Sequence, residues 1–181
     1  MKQYFAEVSG AIATLDLEKL ELSISYLANC SKNNQRIFVI GNGGSAALSS
    51  HFVTDLIKSG YISGRSINAI SLVDNQPLLT ATANDFSYEE VFSWQLEQIA
   101  SASDVLFVIS SSGNSENILL AVEKAKDIGM KVISLSGFDG GKVSTISDVA
   151  LITNSNIGSY GPVEDAHSIV CHYIAMELRK S

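Results

Sequence analysis

Two short apolar runs, Arg36-Ile-Phe-Val-Ile-Gly41 and Asp104-Val-Leu-Phe-Val-Ile109, each lead straight into a loop of glycine or serine and then into a helical pattern. A continuous apolar run of this length marks a strand covered on both faces, the condition of strands in a parallel sheet. Ser66 to Leu72, Lys131 to Leu135 and Asp148 to Ile152 read as three further strands. Between them, helical spacing covers Ser45 to Ile57, Gln76 to Ala83, Tyr88 to Ala100 and Glu116 to Ile128. A last helix starts near Pro162, a residue suited to a first helical turn, and runs to about Leu178. Upstream, Phe5, Val8, Ile12 and Leu15, then Leu20, Leu22, Ile24 and Leu27, predict two helices or one broken near Asp16. Alternation of this kind predicts an α/β fold: a five-stranded, mostly parallel sheet with helices on both faces, preceded by N-terminal helices. No linker, low-complexity tract or repeat divides residues 1–181, so a single domain is expected.

Charge narrows the partners. The chain carries a formal −7 with a pI near 4.8, which argues against nucleic acid, whose backbone is bound largely through Lys and Arg. No run approaches the eighteen or so apolar residues of a membrane span, and Glu7 and Asp16 interrupt the N-terminus where a signal peptide would need its apolar core. Cys30 and Cys171 have no metal-type spacing and lie in apolar helical contexts; buried free thiols in a reducing cytoplasm are expected. An acidic chain has little positive field to spare, so backbone N–H groups and hydroxyls are the expected partners of any anion it holds.

The two loops are suited to that task. Gly41-Asn-Gly-Gly-Ser45 lets backbone N–H groups approach a ligand at a helix N-terminus, although a tight strand-to-helix turn would use the same residues. It is not a Walker motif, since no GK[ST] follows. Ser110-Ser-Ser-Gly-Asn-Ser115 repeats the arrangement with four hydroxyls in six residues. Helix capping by Ser112 or Ser115 accounts for one serine and leaves the others unexplained. Both loops would lie at the carboxyl edge of the sheet, where ligands bind.

GNGGSA and ISSSGNSENI, with TATANDFSYEEVF between them and SLSGFDGGK after, resemble the sugar isomerase (SIS) family, and within it the phosphoheptose isomerases. The resemblance runs from about Ile37 to His172 and implies a three-layer α/β/α SIS fold. It also implies isomerisation of sedoheptulose 7-phosphate to D-glycero-D-manno-heptose 7-phosphate, in the supply of heptose for surface polysaccharide, by a cytoplasmic homotetramer. The N-terminal helices of residues 1–34, whose apolar spacing exceeds what one sheet face needs, would serve that assembly.

The chain has three histidines: His51, His167 and His172. His51 and Asp55 stand four apart on one helix face, a spacing open both to a divalent metal such as zinc and to an ordinary surface pair. The resemblance places His51, Asp55, Glu164 and His172 at the family's zinc-ligand positions and makes Asp55 and His172 the acid/base pair. It assigns substrate contacts to Asn42, Gly43, Gly44 and Ser45, to Asn84 and Asp85, to Ser110, Ser111, Ser112 and Ser115, and to Glu164. His167 falls outside this set and reads as a packed or hydrogen-bonded histidine. Residues 164 and 172 are about 12 Å apart along an ideal helix, so Glu164 reaches the same metal only from a frayed helix start.

The chemistry suits these groups. Aldose–ketose isomerisation moves a proton between C1 and C2 through an enediol, and needs an acid and a base that exchange roles. A metal polarises the carbonyl, while a distant phosphate supplies positioning energy. The chain departs from the family in having Asp55 for Glu, Glu164 for Gln, Asp165 for Glu, and Ser59 and Pro162 where basic residues are usual. The first change shortens the acid/base arm by about 1 Å, and misplacement on that scale costs on the order of a hundredfold in rate. Two other readings therefore stand beside the first: an isomerase of another phosphosugar, and a non-catalytic SIS protein that binds a phosphosugar or a protein partner.

Overall fold

The computed structural model describes residues 2–180. Helices α1 (Lys2–Ala13) and α2 (Leu17–Lys32) come first, separated at Asp16, whose carboxylate accepts from Lys19 N–H and so starts the second helix. There follow β1 (Arg36–Gly41), α3 (Gly44–Ile62), β2 (Asn68–Ser71), α4 (Gln76–Asp85) and α5 (Ser93–Ile99). The second half runs β3 (Val105–Ser110), α6 (Glu116–Ile128), β4 (Lys131–Phe138), α7 (Gly141–Ile146), β5 (Val149–Asn154) and α8 (Tyr160–Leu178).

The five strands form one sheet in the order β2-β1-β3-β4-β5, and every pairing is parallel, where the sequence predicts only a mostly parallel sheet. Alternate residues of each strand face opposite layers. Val39, Phe107, Ile109, Leu135 and Leu151 pack with α2, α3 and α8, while Phe38, Ile40, Leu106, Val108 and Val132 pack with α5, α6 and α7. Three layers result.

Two expectations need correction, and one helix was not expected. Tyr88 to Ala100 is not one helix: Tyr88–Glu90 is a single 3-10 turn, and α5 begins after Val91 and Phe92, both fully inside. The Val91 carbonyl there accepts from the buried Gln95 side chain at 2.7 Å. Helix α7 gives no sequence signal because six residues are too few to display a period. Strand β4 continues three residues past Leu135, because Gly137 leaves room for Val163 of α8; a Cβ there would sit 2.4 Å from Val163 Cγ1.

The chain leaves β1 toward β2 on one side, returns, and continues into β3 on the other. The connections after β1 and β3 therefore diverge to opposite faces and open a crevice between their carboxyl ends.

Candidate active site at the crevice between two loops

Both Gly/Ser loops open on this crevice. Asn42, Gly43, Gly44, Ser45, Ser110, Ser111, Ser112, Ser115, Tyr160 and Glu164 line a cleft of about 270 Å³. Gly43 turns the chain with φ +54°, and Gly44 begins α3, whose first N–H groups have no acceptor within the helix. Gly44 also admits a neighbour: a Cβ there would lie 2.8 Å from Glu164 Oε2.

In the second loop the Ser110 hydroxyl accepts from Gly113 N–H at 3.1 Å and the Ser112 hydroxyl accepts from Asn114 N–H at 3.3 Å, so these two side chains help shape the loop. Ser115 is the N-cap of α6 but makes no side-chain cap bond, so capping does not explain this serine. Gly113 has φ +63°, and a Cβ on it would stand 2.3 Å from the Gly140 carbonyl oxygen. The glycine-rich segment after β4 thus packs backbone against backbone beneath the loop.

A second cleft, of about 240 Å³, continues between α3 and α8 and is lined by Gly44, Ser45, Ala47, Leu48, His51, Glu164, His167 and Ser168. Among the described residues that line the two clefts there is no Lys or Arg. An anion here meets N–H and O–H dipoles.

The ionisable groups meet where α3 packs on α8. Asp55 Oδ2 lies 3.4 Å from His51 Nε2 and 3.5 Å from His172 Nε2, and the two imidazole rings cross edge to face with centroids 5.0 Å apart. The ligand atoms of His51, Asp55 and His172 all lie within 4.8 Å of one another. Zinc bonded at about 2.0–2.1 Å in a tetrahedron separates its ligand atoms by about 3.3 Å, so the two distances to Asp55 fit such an ion. Half-exposed imidazoles and a partly buried carboxylate leave one side of the group open.

The fourth expected ligand is placed differently. Glu164 is the fifth residue of α8, well inside a helix that starts at Tyr160, so the frayed start that would let it reach the histidines is not formed. It stays outside the three-residue cluster, with its carboxylate over the first turn of α3. Asn84 and Asp85 end α4, exposed and bonded to each other at 2.9 Å, away from the linings of both clefts.

The departures from the family pattern have local partners. The Ser59 hydroxyl donates to the Ala175 carbonyl and accepts from Arg179 Nε, stitching α3 to α8. Asp165 accepts from the Tyr4 hydroxyl at 2.7 Å, tying α1 to α8, and that bond pushes the phenol's pKa up. His167 is fully buried, as its packed reading expects. Burial pushes its pKa down to about 4, against a smaller opposing effect of the Ser136 backbone. Cys30 and Cys171 are free and buried. Burial, reinforced by the charge of Asp55, raises the Cys171 thiol well above its ordinary range.

Sequence reasoning missed Tyr160 as a lining residue, and Tyr88 and Asn117 as partners of Asn42. Aromatic and amide residues outside a glycine- or serine-rich loop carry no local signal of that kind.

The SIS domain family model matches residues 3–137. The phosphoheptose isomerase of Helicobacter pylori (strain P12) is 43% identical over 157 residues, covering 87% of this chain and 81% of the relative. That of Aliarcobacter butzleri (strain RM4018) is 38% identical, covering 98% and 96%. The solved phosphoheptose isomerase of Neisseria gonorrhoeae superposes with a TM-score of 0.88 at 30% identity, over 99% of this chain and 97% of that one. The chain belongs to the SIS-domain family, in the group formed by the phosphoheptose isomerases.

Proposed function

We propose that the protein is a cytoplasmic phosphoheptose isomerase, converting sedoheptulose 7-phosphate to D-glycero-D-manno-heptose 7-phosphate for surface-polysaccharide heptose. One observation carries the reading: an anion-suited loop pair lines one cleft, and the adjoining cleft, which shares Gly44, Ser45 and Glu164 with it, runs to His51 of the His/Asp/His group. At 1.5 Å per residue, His51 stands about 10 Å along α3 from Gly44 and Asp55 about 16 Å. A sugar phosphate with its carbonyl at the far end spans about 11 Å, six C–C bonds of about 1.5 Å in a zigzag plus the phosphate ester, which matches the distance to His51. The Asp55 side chain leans back along the helix to 3.4 Å from His51 Nε2. Relatives at 36 to 45% identity carry the same activity in their names.

In this reading the first-turn N–H groups of α3, with Asn42, Ser111, Ser112 and Ser115, hold the phosphate and fix the sugar's register. Asp55 takes a proton from C1 and, after exchange with solvent, delivers one to C2, while His172 exchanges a proton with the hydroxyl and carbonyl oxygens. Zinc, held by His51, Asp55 and His172, would polarise the sugar carbonyl when bound. Glu164 faces the substrate from the groove's midpoint. The exposed apolar residues Phe5, Leu17 and Leu22 of α1 and α2, continued by Ile169, Tyr173 and Met176 of α8, favour a homotetramer built on residues 1–34. A monomeric mass in light scattering would remove that part.

The test is incubation of purified protein with sedoheptulose 7-phosphate in D2O, with and without added zinc, followed by NMR at C1 and C2. Aldose product carrying deuterium at C2 is expected. Absence of turnover under both conditions overturns the assignment.

A further inference from the structure

We infer that Asn117, together with Tyr88, is a positioning residue for the site: it clamps Asn42 and thereby sets the spacing of the two ligand-facing loops. Asn42 is the first residue beyond β1, and Asn117 is the second residue of α6. Their side-chain amides pair reciprocally. Asn42 Nδ2 donates to Asn117 Oδ1 at 2.8 Å, and Asn117 Nδ2 donates to Asn42 Oδ1 at 2.9 Å. The Tyr88 hydroxyl, from the 3-10 turn after α4, donates to the same Asn42 Oδ1 at 3.0 Å. Three segments far apart in sequence thus converge on one amide at the edge of the cleft.

The fold explains why a clamp is needed there. Strands β1 and β3 are neighbours, with Gly41 opposite Ile109, so the sheet fixes the two loops only at their roots. Beyond that register, α3 turns to one face of the sheet and α6 to the other. Nothing in the strand pairing sets the distance between the walls of the crevice. The Asn42–Asn117 pair spans it, and Asn117 is only 3% exposed, so its amide is shielded from competing water.

The same bonds dictate what Asn42 can offer a ligand. A carboxamide has two acceptor sites and two N–H groups. Both acceptor sites of Asn42 and one of its N–H groups are engaged, which leaves one N–H for the cleft. Asn42 is therefore set as a donor to a ligand oxygen and cannot turn its carbonyl inward without losing three bonds. This deepens the phosphosugar reading, and rests on it for the identity of the ligand.

The test uses Tyr88→Phe and Asn117→Leu in the full chain. Tyr88 is 52% exposed, so removing its hydroxyl leaves packing intact. Backbone hydrogen exchange in the ligand-free protein reads the clamp directly: both variants should speed exchange at residues 42–45 and 111–115, and leave the central strands as in wild type. With sedoheptulose 7-phosphate, kcat/KM should fall about fivefold for Tyr88→Phe and roughly thirtyfold for Asn117→Leu, the loss of one and of two hydrogen bonds. The Tyr88→Phe loss should vanish in an Asn42→Ala background, a non-additivity that a merely structural role would not produce. Wild-type exchange in both variants overturns the inference, as does accelerated exchange with unchanged kcat/KM. If the wild type does not turn over this sugar, the function assignment falls, and exchange still decides the clamp.

Discussion

Ser115 separates the two explanations that a serine before a helix always admits. If it caps α6, Ser115→Ala should cost about 1 kcal/mol of stability. For a chain of this size that lowers the melting temperature by about 2–4 °C. The side chain makes no cap bond, however, and it lines the cleft, so stability should stay within about 0.3 kcal/mol of wild type. What should change is affinity for the phosphosugar. A hydrogen bond to a charged group contributes about 1.5–3 kcal/mol, which corresponds to a rise in KM of roughly 10- to 150-fold. Asp16 supplies the internal control, because its carboxylate does accept from Lys19 N–H at 3.1 Å at the start of α2. Asp16→Ala should show the opposite pattern, with lower melting temperature and unchanged KM. Steady-state kinetics and thermal melts on one preparation of each variant decide the matter. A Ser115→Ala protein that melts several degrees early with wild-type KM would refute the reasoning.

Three further outcomes follow from particular contacts. Asp55→Asn should weaken zinc binding by at least about a hundredfold in competition with a chromogenic chelator, since one protein ligand of three accounts for at least about 3 of the 10–16 kcal/mol of a zinc site; affinity within threefold of wild type would exclude Asp55 as a ligand. Gly113→Ala should destabilise the fold in urea by about 2–4 kcal/mol, from the left-handed φ and the Gly140 carbonyl 2.3 Å from the new methyl group. Gly64→Ala, with φ +71° and no atom within 4 Å, should lose only about 1–2 kcal/mol, and equal losses would dismiss the contact. His167 is held neutral to about pH 4, so an unfolded chain takes up its proton first as pH falls from 6.5. Stability from this group is complete above pH 6.5 and is lost by about 3 kcal/mol on approaching pH 4, and His167→Leu should flatten that part of the stability–pH curve; an unchanged slope in urea melts would count against it.

The strands β1 and β3 and the helix α6 were legible from residue order alone because each is a local pattern: a buried run, a turn-forming loop, a period of 3.6. So was the pairing of His51 with Asp55, which four-residue spacing on one helix imposes. The sequence also pointed to dipoles as the partners of an anion, since the chain is acidic and puts glycines and hydroxyls at both helix starts. Other features depend on the packing of one element against another. Asn84 and Asp85, assigned by resemblance, stand apart from both clefts because α4 ends at the surface. Glu164 sits over Gly44 and outside the His51/Asp55/His172 group because α8 starts two residues before Pro162 and keeps its fifth residue helical. Only the tertiary structure brings His172 within 3.5 Å of Asp55, across the contact of α3 with α8, and Asn117 within reach of Asn42, across the crevice. Separation along the chain says nothing about either distance; both are fixed by how the helices lie on the two faces of one parallel sheet.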